Sequence, residues 1–276
     1  MTDQPIVELN SGISIPQLGF GVFQVPNAAT AAAVTAALEA GYRSIDTAAM
    51  YGNEEGVGRA IADSGLARDD VFITTKLNNN AHGYDEALRA FESSRTKLGV
   101  DYVDLYLIHW PLPAKDRYVQ TWRAFEKLRG DGLVRAIGVS NFQPAHLRRI
   151  IDETGVVPAV NQIELHPYLT QDKVRTFDSE RGIATEAWSP IAKGGELLTD
   201  PTITALAGKY AKTPAQIVIR WHLQLGNVVI PKSVTPSRII ENLDVFDFEL
   251  AGEDIAAVSA LNRDERTGPD PDTFNP

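Results

Sequence analysis

The chain has 276 residues, with 26 Lys+Arg against 36 Asp+Glu for a formal charge of −10, and no Cys. That balance excludes a general binder of phosphate backbones, which would be repelled everywhere except at a local basic patch. The missing cysteines exclude a disulfide scaffold, thiolate or iron–sulfur metal ligation and a Cys nucleophile.

In chain order, the start MTDQPIVELN carries neither the basic nor the apolar part of a signal peptide. IVELNSGISIP then reads as a short hairpin around Asn10-Ser11-Gly12. Strands are expected at 17–23, 43–48, 71–77, 103–110, 134–140, 158–165, 183–189 and 227–233. Several are nearly continuous in Val, Ile and Leu, as in strands of a parallel sheet covered on both faces. Between them lie helices with nameable ends. Asn27 is the expected N-cap of an Ala-rich helix stopped by Gly41. Leu88, Phe91 and Leu98 share one face of a helix from Tyr84 to Gly99, and Tyr118, Trp122, Phe125 and Leu128 repeat that spacing ahead of Gly130. Pro201, Pro214 and Pro236 follow Asp200, Thr213 and Thr235 as first helical residues, and Gln216 completes a capping box with Thr213. No run approaches the roughly 18 apolar residues of a membrane helix.

Eight strands alternating with helices over about 250 residues is the rhythm of a (β/α)8 TIM barrel, with a doubly wound sheet as competitor. The hairpin would cap the bottom of the barrel, its N-terminal mouth. One domain, residues 1–276, is expected, since no linker, repeat or low-complexity tract interrupts the chain. No GxGxxG, P-loop, HExxH or GxSxG occurs, and His82, His146, His166 and His222 lack ligand spacing, so no metal is expected.

Active sites of such barrels form at the C-terminal ends of the strands. That rule selects Asp46, Tyr51, Lys76, His109, Ser140-Asn141, Gln162, Trp188 and Lys232-Ser233. Each has a plain structural reading: Asp46 an N-cap, Tyr51 a rim residue, Lys76 a snorkelling amine, His109 a core histidine. Together they make a proton donor. A phenol with a pKa of about 10 is a weak acid at neutral pH; an adjacent ammonium is expected to lower that value. An aspartate would keep the partly buried lysine charged, and a histidine would orient a carbonyl. Reducing a carbonyl carbon also requires a hydride cofactor, because side chains supply none.

Ser44-Ile45-Asp46-Thr47-Ala48, Tyr51-Gly52-Asn53-Glu54, Lys76, Leu107-Ile108-His109-Trp110-Pro111, Gly138-Val139-Ser140-Asn141-Phe142, Asn161-Gln162-Ile163-Glu164 and Ile230-Pro231-Lys232-Ser233 resemble, in order and along the whole chain, the aldo-keto reductases. Within them the chain looks most like prokaryotic members related to 2,5-diketo-D-gluconate reductase. The resemblance implies a monomeric barrel that reduces aldehydes or ketones with NADPH, while the charge balance and the absence of a signal or membrane-length apolar run lead to the expectation of a cytoplasmic protein without nucleic acid or membrane partners. It implies Tyr51 as general acid, Lys76 as the group lowering its pKa, Asp46 as the lysine's partner and His109 as the carbonyl-orienting residue. It further implies Ser140, Asn141 and Gln162 at the nicotinamide carboxamide, Trp188 stacked on the ring, and the backbone from Ser189 through Ile191 to Ala192 along the pyrophosphate. Lys232, Ser233 and Arg238 would surround the 2′-phosphate, with Glu241 and Asn242 near the adenine. Physics supports that cluster: Lys232 and Arg238 flank a helix start, whose free N–H groups favour an anion.

One departure stands out. Related reductases often carry an aromatic residue where this chain has Asn78, in Lys76-Leu77-Asn78-Asn79-Asn80. That opens and polarises one wall of the substrate pocket, leaving Phe23, Trp110 and Phe274 as the other walls. Two other functions remain open: a Schiff-base lyase or aldolase using Lys76, and a non-catalytic NADPH-binding regulatory module.

Overall fold

Leu18 and Val229 lie side by side in a parallel bridge, and that contact closes the sheet into a barrel. The computed structural model describes residues 4–276. After the antiparallel hairpin of β1 (Ile6–Glu8) and β2 (Ser14–Pro16) come the eight strands that the sequence predicts. They are β3 (Phe20–Gly21), β4 (Ser44–Asp46), β5 (Phe72–Leu77), β6 (Val103–Ile108), β7 (Val134–Ser140), β8 (Val160–Glu164), β9 (Ala184–Trp188) and β10 (Val228–Val229). Each pairs in parallel with its neighbour in sequence. Across the seam, Val229 N donates to Gln17 O at 2.9 Å and Gly19 N donates to Val229 O at 2.8 Å. Sequential order and a closed seam exclude the doubly wound sheet, which has open edges.

The helices are α1 (Asn27–Ala40), α2 (Glu54–Asp63), α3 (Tyr84–Leu98), α4 (Tyr118–Gly130), α5 (Pro144–Thr154), α6 (Asp172–Glu180), α7 (Pro201–Tyr210), α8 (Pro214–Gln224), α9 (Pro236–Leu243) and α10 (Gly252–Ser259). Eight of them ring the barrel, with α9 between α8 and α1; α7 and α10 pack outside α8. The expected faces are the buried ones. Phe91 and Leu98 of α3, and Tyr118, Trp122, Phe125 and Leu128 of α4, are out of solvent, each apolar side chain of this kind contributing roughly 1.5–3 kcal/mol.

The local stops are those of the sequence, with two corrections. Gly41 takes the left-handed conformation (φ 115°) and its N–H bonds back to Ala37 O and Leu38 O, satisfying carbonyls the helix leaves free. Thr213 and Gln216 close their capping box through Gln216 N–Thr213 Oγ1 (3.3 Å) and Thr213 N–Gln216 Oε1 (2.9 Å). Asn27, expected at the N-cap, is instead the first helical residue; Pro26 holds the cap position, without a side-chain bond. The preceding proline fixes the extended entry (φ −57°, ψ 142°), so the chain turns into the helix one residue early. Gly130 likewise lies inside α4, as its last residue, rather than beyond it.

The hairpin plugs one end of the barrel. Leu9 and Ile15 are buried against Phe72, Leu105, Ala136, Ala159 and Val228, toward the strands' N-terminal ends. The other mouth, where the strands end in Asp46, Leu77, Ser140, Glu164 and Trp188, is left for polar groups.

Candidate active site

Asp46 is the last residue of β4, and the chain beyond it makes a single 3-10 turn, Ala49–Tyr51, ended by Gly52 in the left-handed conformation (φ 67°). Asn53 pins this loop. Its Nδ2 donates to Val22 O and Val25 O at 3.0 and 3.1 Å, and its Oδ1 accepts from Thr47 Oγ1 at 2.8 Å. Tyr51 is thereby held over Lys76, the penultimate residue of β5.

The Lys76 side chain is fully buried, and its three N–H groups have three acceptors: Asp46 Oδ1 at 2.6 Å, Thr47 O at 2.9 Å and Tyr51 Oη at 3.5 Å. Burial alone would neutralise such an amine, but Asp46 and Tyr51 hold its pKa above the ordinary lysine value. It is an ammonium, not a free amine. That disfavours the Schiff-base alternative, which needs the lone pair.

The expected lowering of the Tyr51 pKa is not what results. Burial raises the half-buried phenol more than Lys76 lowers it, and Asp46 and Glu186 push in the same direction as burial. The ammonium offsets part of a cost that the apolar setting imposes, and the net value lies above that of free tyrosine. Tyr51 therefore stays protonated, and so able to donate, throughout the neutral range. It remains a far stronger acid than an aliphatic alcohol.

His109 follows the end of β6, with its ring edge-on to Tyr51 (centroids 5.7 Å apart, 73° between planes). Burial, helped by the charge on Lys76, holds its pKa well below that of free histidine, so the imidazole is neutral. Its Nδ1 is buried and has no hydrogen-bond partner among the described residues.

Around these four groups the expected binding residues form one network. Gln162 Nε2 donates to Asp46 Oδ2 (2.8 Å) and to Glu186 Oε2 (2.9 Å). Ser140 Oγ donates to Gln162 O (2.8 Å), and Asn141 Nδ2 donates to His109 O and Ser140 Oγ (both 3.0 Å). Trp188 Nε1 donates to Asn141 Oδ1 at 2.8 Å, fixing the indole at the end of β9. Asn141 sits in the left-handed region (φ 64°), which an Asn tolerates better than most residues.

The chain after β9 and the C-terminal tail meet over Trp188. Ser189, Ala192, Lys193 and Gly194 all have positive φ around the half-buried Ile191, so the loop doubles back tightly. Lys193 Nζ donates to Thr267 O at 2.9 Å. Glu164 accepts from Thr267 N (2.5 Å), Thr267 Oγ1 (2.6 Å) and Gly268 N (3.1 Å). Gly268 is needed for this approach: a Cβ there would lie 2.5 Å from Trp188 Cη2. Further on, Ala114 N donates to Asn275 Oδ1 (3.0 Å) and Lys115 Nζ to Pro276 O (2.7 Å), with Phe274 packed on Trp110 (ring centroids 4.5 Å). Phe23, about half exposed, has its ring centroid 5.0 Å from that of Tyr51, and Asn78 is half-buried just past β5.

Lys232 and Arg238 are exposed on either side of the Pro236 helix start, and neither has an ion-pair partner among the described residues. Ser233 Oγ accepts from Thr235 N at 3.1 Å, bracing the turn. Glu241 and Asn242 lie further along α9; Glu241 Oε1 accepts from Thr213 Oγ1 at 2.8 Å and Asn242 is buried. Two free cations beside a helix start fit a phosphate monoester; in the doubled-back loop beside Trp188, Ala192 N and Gly194 N already bond Ser189 O and Ile191 O, so the N–H groups of Ile191 and Lys193 carry the fit to a pyrophosphate. The donor set thus suits a phosphorylated dinucleotide.

The residue missed by sequence reasoning is Glu186. It lies two positions before Trp188, hence on the same face of β9, and opposite Gln162 across the sheet. Strand alternation held the signal, but a glutamate in mid-strand is also what a solvent-facing position looks like. A cavity of about 640 Å³ lies elsewhere, by α6 and the starts of β9 and β10, lined by residues including Asp172, Arg175 and Asn227; its guanidinium already pairs with Asp172. Among the described residues no cluster of three or more metal-ligating side chains occurs, and no helix is long and apolar enough to cross a membrane.

The family model of the aldo/keto reductases matches residues 17–263. An aldo-keto reductase of Mycobacterium sp. (strain JLS) is 61% identical, with 98% of each chain covered. Methylglyoxal reductase DkgA of Yersinia pestis is 55% identical over 99% of each. Among solved structures, a variant of Gox0644 in complex with NADPH superposes with a TM-score of 0.94 at 49% identity, covering 98% of each chain.

Proposed function

The chain belongs to the aldo/keto reductase family, and we propose that it reduces small dicarbonyls of the methylglyoxal type with NADPH, Tyr51 giving the proton. The observation that carries this reading is the convergence of Tyr51, the charged Lys76 and the neutral His109 on one mouth of the barrel. NADPH supplies the hydride when bound. Trp188 would hold its nicotinamide, Ser140, Asn141 and Gln162 the carboxamide, and the backbone of Ser189 through Ala192 the pyrophosphate. Lys232, Ser233 and Arg238 would take the 2′-phosphate, with Glu241 and Asn242 by the adenine.

The protein's own groups do the rest. The carbonyl oxygen is positioned between Tyr51 Oη and the imidazole of His109. Because His109 is neutral, it polarises the carbonyl without competing as an acid. As negative charge grows on that oxygen, Tyr51 Oη releases its proton to it, and Lys76 Nζ stabilises the phenolate left behind. Asp46 and Thr47 O keep the ammonium aimed. An intact set of proton-handling groups argues against the purely regulatory module.

The dicarbonyl preference draws on two supports. The DkgA relative bears the name of a methylglyoxal reductase. Asn78 also stands on a wall that is aromatic in many relatives, so the pocket favours small, hydrated, polar carbonyls over flat apolar ones. In the same reading the protein works as a cytoplasmic monomer whose barrel and tail act as one unit. The experiment is a panel of methylglyoxal, glyoxal, keto-sugars and aromatic aldehydes with NADPH oxidation followed by absorbance. The highest kcat/KM is expected for the dicarbonyls; preference for aromatic aldehydes would remove this substrate assignment.

A further inference from the structure

Glu186 is completely buried in the middle of β9, and no step above uses it. A single amide nitrogen, Gln162 Nε2, spans its carboxyl and that of Asp46, at 2.9 and 2.8 Å. The other oxygen of Asp46 lies 2.6 Å from Lys76 Nζ. The charged and titratable groups around Glu186 are Asp46 from β4, Lys76 from β5 and Tyr51 from the turn after β4. From the adjoining strands β8 offers the neutral Gln162, and β10 the apolar Val228. One ammonium therefore serves two buried carboxyl groups. Ionising both would leave an uncompensated negative charge out of water, which is costly. Asp46, in direct contact with Lys76, carries the charge.

We infer that Glu186 is a positioning residue for carbonyl reduction: its uncharged carboxyl locks the Gln162 amide, which keeps Asp46 on Lys76, and its ionisation in alkali weakens Tyr51 as proton donor. The inference rests on Tyr51 being that donor. Burial, followed by the charge of Asp46, pushes the Glu186 carboxyl up to about 8, against smaller downward pulls from Gln162 and Lys76. A negative charge on Glu186 in turn raises the Tyr51 pKa. It would also compete with Asp46 for the single ammonium.

Glu186→Gln tests this, because the amide oxygen still accepts from Gln162 while nothing at the position ionises. In the wild type kcat should fall about tenfold between pH 7 and 9, as ionisation near pH 8 requires of an essential protonated group. The variant should match wild type within about twofold at pH 7 and stay flat to pH 9. Superimposable pH profiles, or a variant already inactive at pH 7, would overturn the inference. Infrared difference spectra of wild type against the variant give a readout without turnover. A protonated-carboxyl band is expected at pH 7 that fades near pH 8 and is missing from Glu186→Gln, while buried Asp178 contributes equally to both. No such difference band would also refute the proposal. If only the Tyr51 assignment were wrong, the band would remain and Tyr51→Phe would be active.

Discussion

Lys76 Nζ lies 2.6 Å from Asp46 Oδ1, with both side chains out of reach of water. Such a pair is a weak source of net stability but a costly one to halve. Lys76→Met strands Asp46, which keeps only the Gln162 amide as partner. A loss of about 3–5 kcal/mol in urea unfolding is expected, together with loss of activity. Adding Asp46→Asn should restore much of the stability and none of the activity. A double variant no more stable than Lys76→Met would contradict the pairing.

Arg238 is exposed and has no carboxylate partner among the described residues. Arg238→Ala should weaken NADPH binding by roughly tenfold, the worth of one solvated charge-assisted contact, and leave NADH binding unchanged. An unaltered ratio of the two dissociation constants would take Arg238 out of the 2′-phosphate site. Fold stability should not move, because no hydrogen bond or ion pair reaches this guanidinium among the described residues.

The tail is tied to the site at Gly268. A methyl group there meets Trp188 Cη2 at 2.5 Å, so either the indole or the tail must shift. Overpacking of this kind costs about 1–3 kcal/mol. Gly268→Ala is expected to raise the NADPH dissociation constant and blue- or red-shift Trp188 fluorescence, with little change in the proton-transfer step. Wild-type affinity and fluorescence would show that the tail yields freely.

Acid should destabilise the fold through its buried histidines. Burial pushes His222 down to about 3, and His82 down to about 4 with help from Lys115 and Arg117. Both are neutral when folded and take up a proton near pH 6.5 when unfolded. The unfolded chain thus binds more protons, and stability falls as pH drops from about 6.5 toward 3. Thermal melts should show a falling Tm over that window, shallower in His222→Gln, whose amide nitrogen can still donate to Pro190 O. A variant with the wild-type slope would exclude His222 as a contributor.

Much of this was legible before any coordinates. Eight strands, the barrel order and three of the four Pro-led helices follow from apolar runs and from punctuation that acts within a turn or two of itself. The clustering of Asp46, Tyr51, Lys76 and His109 could be anticipated because strand ends in a barrel converge by construction. What the sequence hides is long-range. Asn27 is displaced from its cap because Pro26 sets the entry angle. Tyr51 is raised and not lowered, because the size of a desolvation cost depends on how much of the phenol the fold covers. Glu186 escapes notice since only the closed sheet reveals that its face of β9 points at Gln162 and Asp46. The tail's clamp on Glu164 joins residues about a hundred positions apart, beyond any local pattern.

Single-turnover reduction of methylglyoxal by Tyr51→Phe, preloaded with NADPH and timed by loss of nicotinamide absorbance, bears on the whole scheme. The phenyl ring keeps the packing against Phe23 and His109 and removes only the hydroxyl. A rate lower by at least 10²-fold, roughly the contribution of a positioned general acid, is expected, with NADPH affinity unchanged. A variant that turns over at the wild-type rate would mean that the proton comes from somewhere else.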